Sequence, residues 1–92
     1  MIFQGDLKKM NEYWMKQTRL FVLTGNGEIK YYKNSTLHRG TIIMDNTTKV
    51  TKTSKSSFEI ITSSRTWYLY TVKNNIDKWI DSIEQVVSSL VR

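Results

Sequence analysis

Thr66-Trp67-Tyr68-Leu69-Tyr70-Thr71-Val72 is followed, after Lys73-Asn74-Asn75, by Ile76-Asp77-Lys78-Trp79-Ile80-Asp81-Ser82-Ile83, and the hydrophobic period changes between the two. In the first stretch Trp67, Leu69 and Thr71 alternate with Thr66, Tyr68 and Tyr70, the two-residue period of a strand with one buried face. In the second, Ile76, Trp79, Ile80, Ile83, Val87 and Leu90 make one apolar stripe, with Asp77, Lys78, Asp81, Glu84 and Gln85 opposite. This is the pattern of an amphipathic helix, expected over about 75–91. Asn74 or Asn75 is the expected N-cap, and Asp77 in the first turn suits the helix dipole.

Upstream of this switch the chain reads as short strands and tight turns, within about residues 5–73. Gly5 to Met10 is the first strand, and Lys16 to Thr24, containing Arg19-Leu20-Phe21-Val22-Leu23, is the second. Gly25-Asn26-Gly27 suits the positive φ of a hairpin turn and leads into Glu28-Ile29-Lys30-Tyr31-Tyr32. After the polar link Asn34-Ser35-Thr36, Gly40 opens a fourth strand, Thr41-Ile42-Ile43-Met44. A polar fifth strand is expected around Lys49-Val50-Thr51, a sixth over Phe58 to Thr62 and a seventh over Thr66 to Val72. Sequential strands with hairpin-length turns predict an antiparallel meander closed by one helix.

The chain has 92 residues, room for a single domain over 1–92. It contains no cysteine and one histidine, His38, so disulfides, thiol chemistry and a multi-histidine metal centre are excluded, and no cofactor is expected. Paired carboxylates and a glycine-rich phosphate loop are also missing, so an enzyme is not expected. Fourteen Lys and Arg stand against eight Asp and Glu, for a net charge of +6. Residues 1–73 hold twelve of the bases and five of the acids, so the basic excess lies in the strands. Such a body points to a polyanionic partner, whether an anionic membrane surface or nucleic acid, although charge of this size also serves solubility. Nucleic acid ranks low, because recognition signatures are missing and the helix is the acidic part of the chain. The longest apolar run, Leu20 to Leu23, is too short to span a membrane. Met1-Ile2-Phe3-Gln4-Gly5 sits hard against the first strand, as in a domain excised from a longer chain. A cytoplasmic location is expected.

Several linked positions then become legible together: Gly5-x-Leu7-x-Lys9, Arg19-x-Phe21-Val22-Leu23, Ile29-x-Tyr31-Tyr32 and Gly40-x-Ile42. They continue as Phe58-x-Ile60-x-Thr62-x-x-Arg65-x-Trp67-x-Leu69 and Trp79-Ile80-x-x-Ile83. In this order and spacing, over residues 5–91, the chain resembles a pleckstrin-homology (PH) domain. The resemblance implies a mainly β fold: a seven-stranded antiparallel barrel or sandwich capped by a C-terminal amphipathic helix. It also implies a site at the open end of the barrel for phosphoinositide head groups. Lys9, Arg19 and Tyr31 match the family's first-strand lysine, second-strand arginine and third-strand tyrosine, and Arg39 matches a further phosphate-contacting base.

Residue chemistry agrees with that assignment. Lys9 shares a strand face with Leu7, Arg19 with Phe21 and Leu23, and Tyr31 with Ile29. Each polar group continues a core-facing row at a strand end, where water or an anion can satisfy it. Gln17 stands where the resemblance implies another base. Lys16, one residue earlier, joins the candidate head-group ligands only if a bulge re-aims it from the other face.

Tyr13-Trp14-Met15 is a candidate membrane-contacting loop. Packing of Trp14 and Met15 on the barrel wall is the favoured expectation, because exposed clusters of apolar side chains are uncommon. Lys49, Lys52 and Lys55 read as a solvated face, Lys8, Lys30 and Lys33 as guards of strand edges, Arg65 as structural and His38 as an exposed loop residue. The expected function is phosphoinositide or anionic-phospholipid binding that recruits a parent signalling protein peripherally to membranes. The alternative, motivated by Gln17, is a protein-interaction or autoinhibitory module on the same fold with little lipid affinity.

Overall fold

In the computed structural model, which describes residues 2–11, 13–34 and 36–90, the sheet strands are β1 (Phe3–Met10), β2 (Lys16–Leu23), β3 (Glu28–Tyr32), β4 (His38–Ile43), β5 (Lys49–Lys52), β6 (Ser57–Ile61) and β7 (Thr66–Thr71). They are followed by α1 (Ile76–Ser89). The sequence-based order and type of every element agree with this, with ends differing by a few residues. Two ends matter. The first strand begins at Phe3 rather than Gly5, and the fourth at His38 rather than Gly40, so His38 is a strand residue and not a loop residue. The helix ends at Ser89; Val91, where it was expected to stop, lies outside the described residues, as does Ser35 of the β3–β4 link.

All strands join one antiparallel sheet in the order β4-β3-β2-β1-β7-β6-β5. A pure meander would keep chain neighbours together, but here β1 also pairs with β7, through Leu7–Thr71, Lys8–Tyr70 and Lys9–Leu69. Two hairpin groups are thereby joined along β1, and β4 and β5 remain as the edges. Between those edges the chain turns at Asp45, whose carboxylate accepts hydrogen bonds from the Thr47 backbone N–H and hydroxyl at 2.8 and 2.6 Å. These bonds hold the Asp45 carboxyl below its ordinary range.

One face of every strand except β5 supplies buried core residues, Leu7, Phe21, Leu23, Ile29, Ile42, Phe58, Ile60, Trp67 and Leu69, and β5 adds the partly buried Val50. The helix adds Ile76, Trp79, Ile83 and Val86. Val86 was not in the expected stripe, whereas Ile80, Val87 and Leu90 are only partly buried, so the buried stripe is rotated slightly towards Val86. Asn75 is the N-cap by position, but its side chain makes no capping hydrogen bond and its Oδ1 is buried without a partner. The helix start is therefore held by packing of Ile76 and Trp79 rather than by a side-chain cap.

The helix closes one end of the barrel. Trp79 meets the Phe3 ring edge-on at a centroid distance of 4.8 Å. At the far end of the helix, Leu90 lies against Gly27 in the β2–β3 turn, where a Cβ would come within 2.9 Å of Leu90 Cδ1. Gly27 has φ +93, so this turn requires glycine both for its backbone and for the close approach. The opposite end is left open, ringed by the β1–β2, β3–β4 and β6–β7 connections. Among the described residues no helix is long and apolar enough to cross a membrane.

Candidate functional site

Strand alternation carries a row of side chains out of the core and into the open end. In β2 the inward row Leu23, Phe21 continues as Arg19 and Gln17, and in β1 Leu7 continues as Lys9. The β1–β2 register is regular, pairing Lys9 with Gln17 and Leu7 with Arg19. No bulge therefore re-aims Lys16.

An aromatic floor lies beneath these charges. The Tyr31 ring stacks on Phe21 with centroids 5.4 Å apart, and meets Trp67 at 5.8 Å in an edge arrangement. Lys9 Nζ sits 5.2 Å from the Tyr31 centroid. Aromatic rings give the base residues a rigid apolar support and a favourable quadrupole.

Arg39 reaches the same place by a different route. Tyr31 pairs with Gly40 and Tyr32 with His38, so the β3–β4 ladder slips by one residue and Arg39 is left over. Simple alternation from Ile42, which is buried, would aim Arg39 outward. The bulge turns it inward instead. Lys9, Gln17, Arg19, Tyr31 and Arg39 together line an open cavity of about 220 Å³.

The electrostatics of this cavity are one-sided. Among the described residues the ion pair found is Lys52 with Asp77, at 3.2 Å on the surface and remote from the mouth. Arg19 donates to the Thr18 carbonyl at 2.8 Å, which steadies the guanidinium without neutralising it. Burial, then the charges of Arg65, Arg19 and Arg39, push the Lys9 ammonium below its ordinary value. A half-buried ammonium surrounded by guanidinium groups is an arrangement that an anion relieves.

Arg65 belongs to this assembly, although the sequence reading made it structural. Its guanidinium carbon lies 3.8 Å from the Trp67 ring centroid, and it lines a second open cavity of about 300 Å³ with Lys9, Asn11, Tyr13 and Gln17. The signal was available: Arg65 stands two residues before inward-facing Trp67, as Lys9 stands two after Leu7. Lys16 is set apart from both cavities. Its ammonium lies 4.2 Å from the Tyr70 ring on the outer face of the sheet.

Tyr13, Trp14 and Met15 are each more than 60% exposed, at 74, 75 and 63%. The favoured expectation of wall packing is thus corrected: Trp14 stands out from the barrel, with its ring in a tilted arrangement to Tyr68 at a centroid distance of 6.4 Å. The reason lies in Asn11. Its Oδ1 accepts hydrogen bonds from the Tyr13 and Met15 backbone N–H groups, forming a tight turn that throws the side chains outward. Trp14 adopts φ 62 within it.

A larger open cavity, about 470 Å³, lies between β5 and α1 and is lined by Thr48, Val50, Glu84 and Val87 among others. It gathers no cluster of like charge, so chemistry rather than size places the candidate site at the open end. No group of metal-ligating side chains occurs among the described residues.

The same architecture recurs among known structures. The C-terminal PH domain of pleckstrin in complex with D-myo-Ins(1,2,3,4,5)P5 superimposes with a TM-score of 0.81 at 25% identity, covering 92% of this chain and 96% of that one. The N-terminal PH domain of the human ARAP2 protein gives 0.75 at 24% identity, covering 95% and 79%. No curated protein sequence matches the chain. The family model described as the PH domain matches residues 1–91. With that match across the helix-capped barrel, the chain belongs to the PH-domain family.

Proposed function

We propose that this PH domain binds the phosphorylated head group of an anionic phospholipid, a phosphoinositide above all, and so recruits its parent protein peripherally to membranes. The observation that carries this reading is the convergence of Lys9, Arg19 and Arg39 around the Tyr31 ring, with no carboxylate partner among the described residues. Arginine supplies a planar fork for bidentate phosphate contact and lysine a compact charge. The inositol pentakisphosphate held by the pleckstrin C-terminal PH domain, a relative by fold and at 25% identity, supports the same ligand class. Tyr13, Trp14 and Met15, exposed beside the mouth, supply apolar and aromatic surface for the lipid interface. Lys16 on the outer face adds to the positive field rather than to the seat.

The test is co-sedimentation with neutral, phosphatidylserine and phosphoinositide vesicles at low and near-physiological salt. Binding to phosphoinositide vesicles that survives physiological salt and is lost in Arg19→Glu is the expected result. Full vesicle affinity in Arg19→Glu overturns it. A second reading, a protein-interaction or autoinhibitory module, is favoured by Gln17, an uncharged amide in the lining of the cavity. Capture of a protein partner without lipid, unchanged by Arg19→Glu, is the result that supports it.

A further inference from the structure

The open cavity of about 470 Å³ between β5 and α1 shares no lining residue with either cavity at the open end. Val50 of β5 and Val87 of α1 are its apolar lining residues, and Lys49 and Glu84 are its charged ones. We propose that this groove takes an extended segment of a partner protein, added to β5 as a further antiparallel strand. The segment carries apolar side chains at alternate positions and an acidic residue opposite Lys49. The inference does not rest on the head-group reading, and the segment and a head group bind without competing for a residue.

The backbone of β5 carries the argument first. β5 is an edge of the sheet and, among the described residues, pairs with β6 alone. The Thr53 N–H donates to the Ser57 carbonyl at 2.9 Å, and alternation from that bond along the unbroken β5–β6 register turns the N–H and C=O of Val50 and Lys52 away from β6. These groups face the free edge, the row on which an added strand pairs. Helix α1 packs beside β5 without taking them up, since among the described residues no backbone hydrogen bond joins the two elements. The groove is also preformed. Val50 and Val87 are packed against the core, so alternate side chains of an added strand close over a fixed apolar floor. Lys52 Nζ meets Asp77 Oδ1 at 3.2 Å and ties β5 to the start of α1, while the buried Thr48 hydroxyl accepts the Asp45 N–H at 3.0 Å at the other end of β5.

Charge selects the occupant. Strand parity puts Lys49 and Thr51 on the row opposite to that of Val50, and Lys49 has no ion-pair partner among the described residues. A carboxylate directly across from Lys49 on an added strand makes a favourable cross-strand pair. Glu84 stands on the α1 wall, so an acid is admitted on the β5 side of the groove and not on the helix side. A second copy of this chain is disfavoured. Two β5 strands meeting at their free edges would set Lys49 and Lys52 of one against those of the other, and edge lysines act against such self-pairing.

The experiment titrates the isotope-labelled domain with a synthetic peptide alternating valine and glutamate, followed by amide chemical shifts and hydrogen exchange. Shifts are expected at Val50, Lys52, Glu84 and Val87, with exchange protection of the Val50 and Lys52 amides and unchanged signals at Lys9 and Arg19. A peptide alternating valine and lysine is expected to bind about tenfold more weakly, and Lys49→Glu to shrink that preference to about threefold or less. Lys49 is exposed, so this variant is expected to keep its fold, which thermal melting checks. N-methylation of alternate amides in the valine–glutamate peptide is expected to weaken binding about tenfold, the mark of strand addition rather than of apolar contact alone. Absence of shifts at Val50 and Lys52 overturns the proposal, as does undiminished binding of the N-methylated peptide. Concentration-dependent shifts of the same amides without peptide assign the groove to a second copy and overturn the partner segment. Peptide binding is expected to be unchanged in Arg19→Glu, so failure of the head-group reading leaves this test intact.

Discussion

Gly40 stands directly opposite Tyr31 in the β3–β4 ladder, and the Tyr31 ring and hydroxyl fill the space a Cβ at position 40 would take. The pair links backbone to site: absence of a side chain on β4 leaves room for the ring to stack on Phe21, meet Trp67 edge-on and lie under Lys9. Gly40→Ala must therefore displace the ring from its packing on Phe21 and Trp67. On the proposed reading head-group binding is expected to weaken several-fold, while stability falls by about 1–3 kcal/mol. In a Tyr31→Ala background the stability effect of Gly40→Ala is expected to disappear, and a double-mutant cycle by urea denaturation measures that coupling.

Lys9 gives a pH prediction. Burial first, and then Arg65, Arg19 and Arg39, hold it below its ordinary value of 10.5. As pH falls from high values the unfolded chain takes up the Lys9 proton first, so the folded state is penalised, fully so once pH is below the folded value. Above pH 10.5 the penalty is gone, because the amine is neutral in both states. Lys9→Met is expected to be more stable than the native chain at neutral pH, by roughly 0.5 kcal/mol or less since water screens a half-exposed charge. The gap is expected to narrow as pH approaches 10.5, and on the proposed reading the same variant is expected to bind head group poorly. Denaturation midpoints from pH 7 to 10.5 check the sign.

Trp14 separates stability from membrane contact. It holds a left-handed φ of 62, which costs a residue with a Cβ about 1 kcal/mol relative to glycine. Trp14→Gly is expected to leave stability unchanged or raised, and to lower vesicle affinity about threefold or more through loss of interfacial burial. Thermal melting with vesicle co-sedimentation reads both effects, and unchanged vesicle affinity removes the loop from the membrane contact.

Trp79 is the counterpart in the core. It is fully buried, and its Nε1 has no hydrogen-bond partner. Trp79→Ala is expected to cost about 3–5 kcal/mol, a large share of a small domain's stability. Trp79→Phe is expected to cost only about 1–2 kcal/mol, because the lost volume is offset by removal of a buried unpaired N–H. Urea denaturation of the two variants decides the ordering.

The partners that complete the site were legible to different degrees. Lys9, Arg19 and Tyr31 continue inward rows that begin at Leu7, Phe21 and Ile29, so alternation alone aims them together once the strands are placed. Arg65 obeys the same parity with Trp67 and was legible in principle. Arg39 was not: alternation from Ile42 points it outward, and only the slipped ladder at Tyr31–Tyr32 brings it in. The exposure of Tyr13-Trp14-Met15 was likewise hidden, because it depends on where the Asn11 carboxamide finds its donors.

The amino-acid sequence by itself determined the succession of strands and helix and the side of each strand that enters the core, because both follow from side-chain periods repeating within a few residues. Tertiary structure alone decided that β1 pairs with β7, that β3 and β4 slip by one residue, and hence that Arg39 and Arg65 both come within reach of Lys9. Ladder partners and bulges are set by the fit of segments distant in the chain, and no local period carries that information.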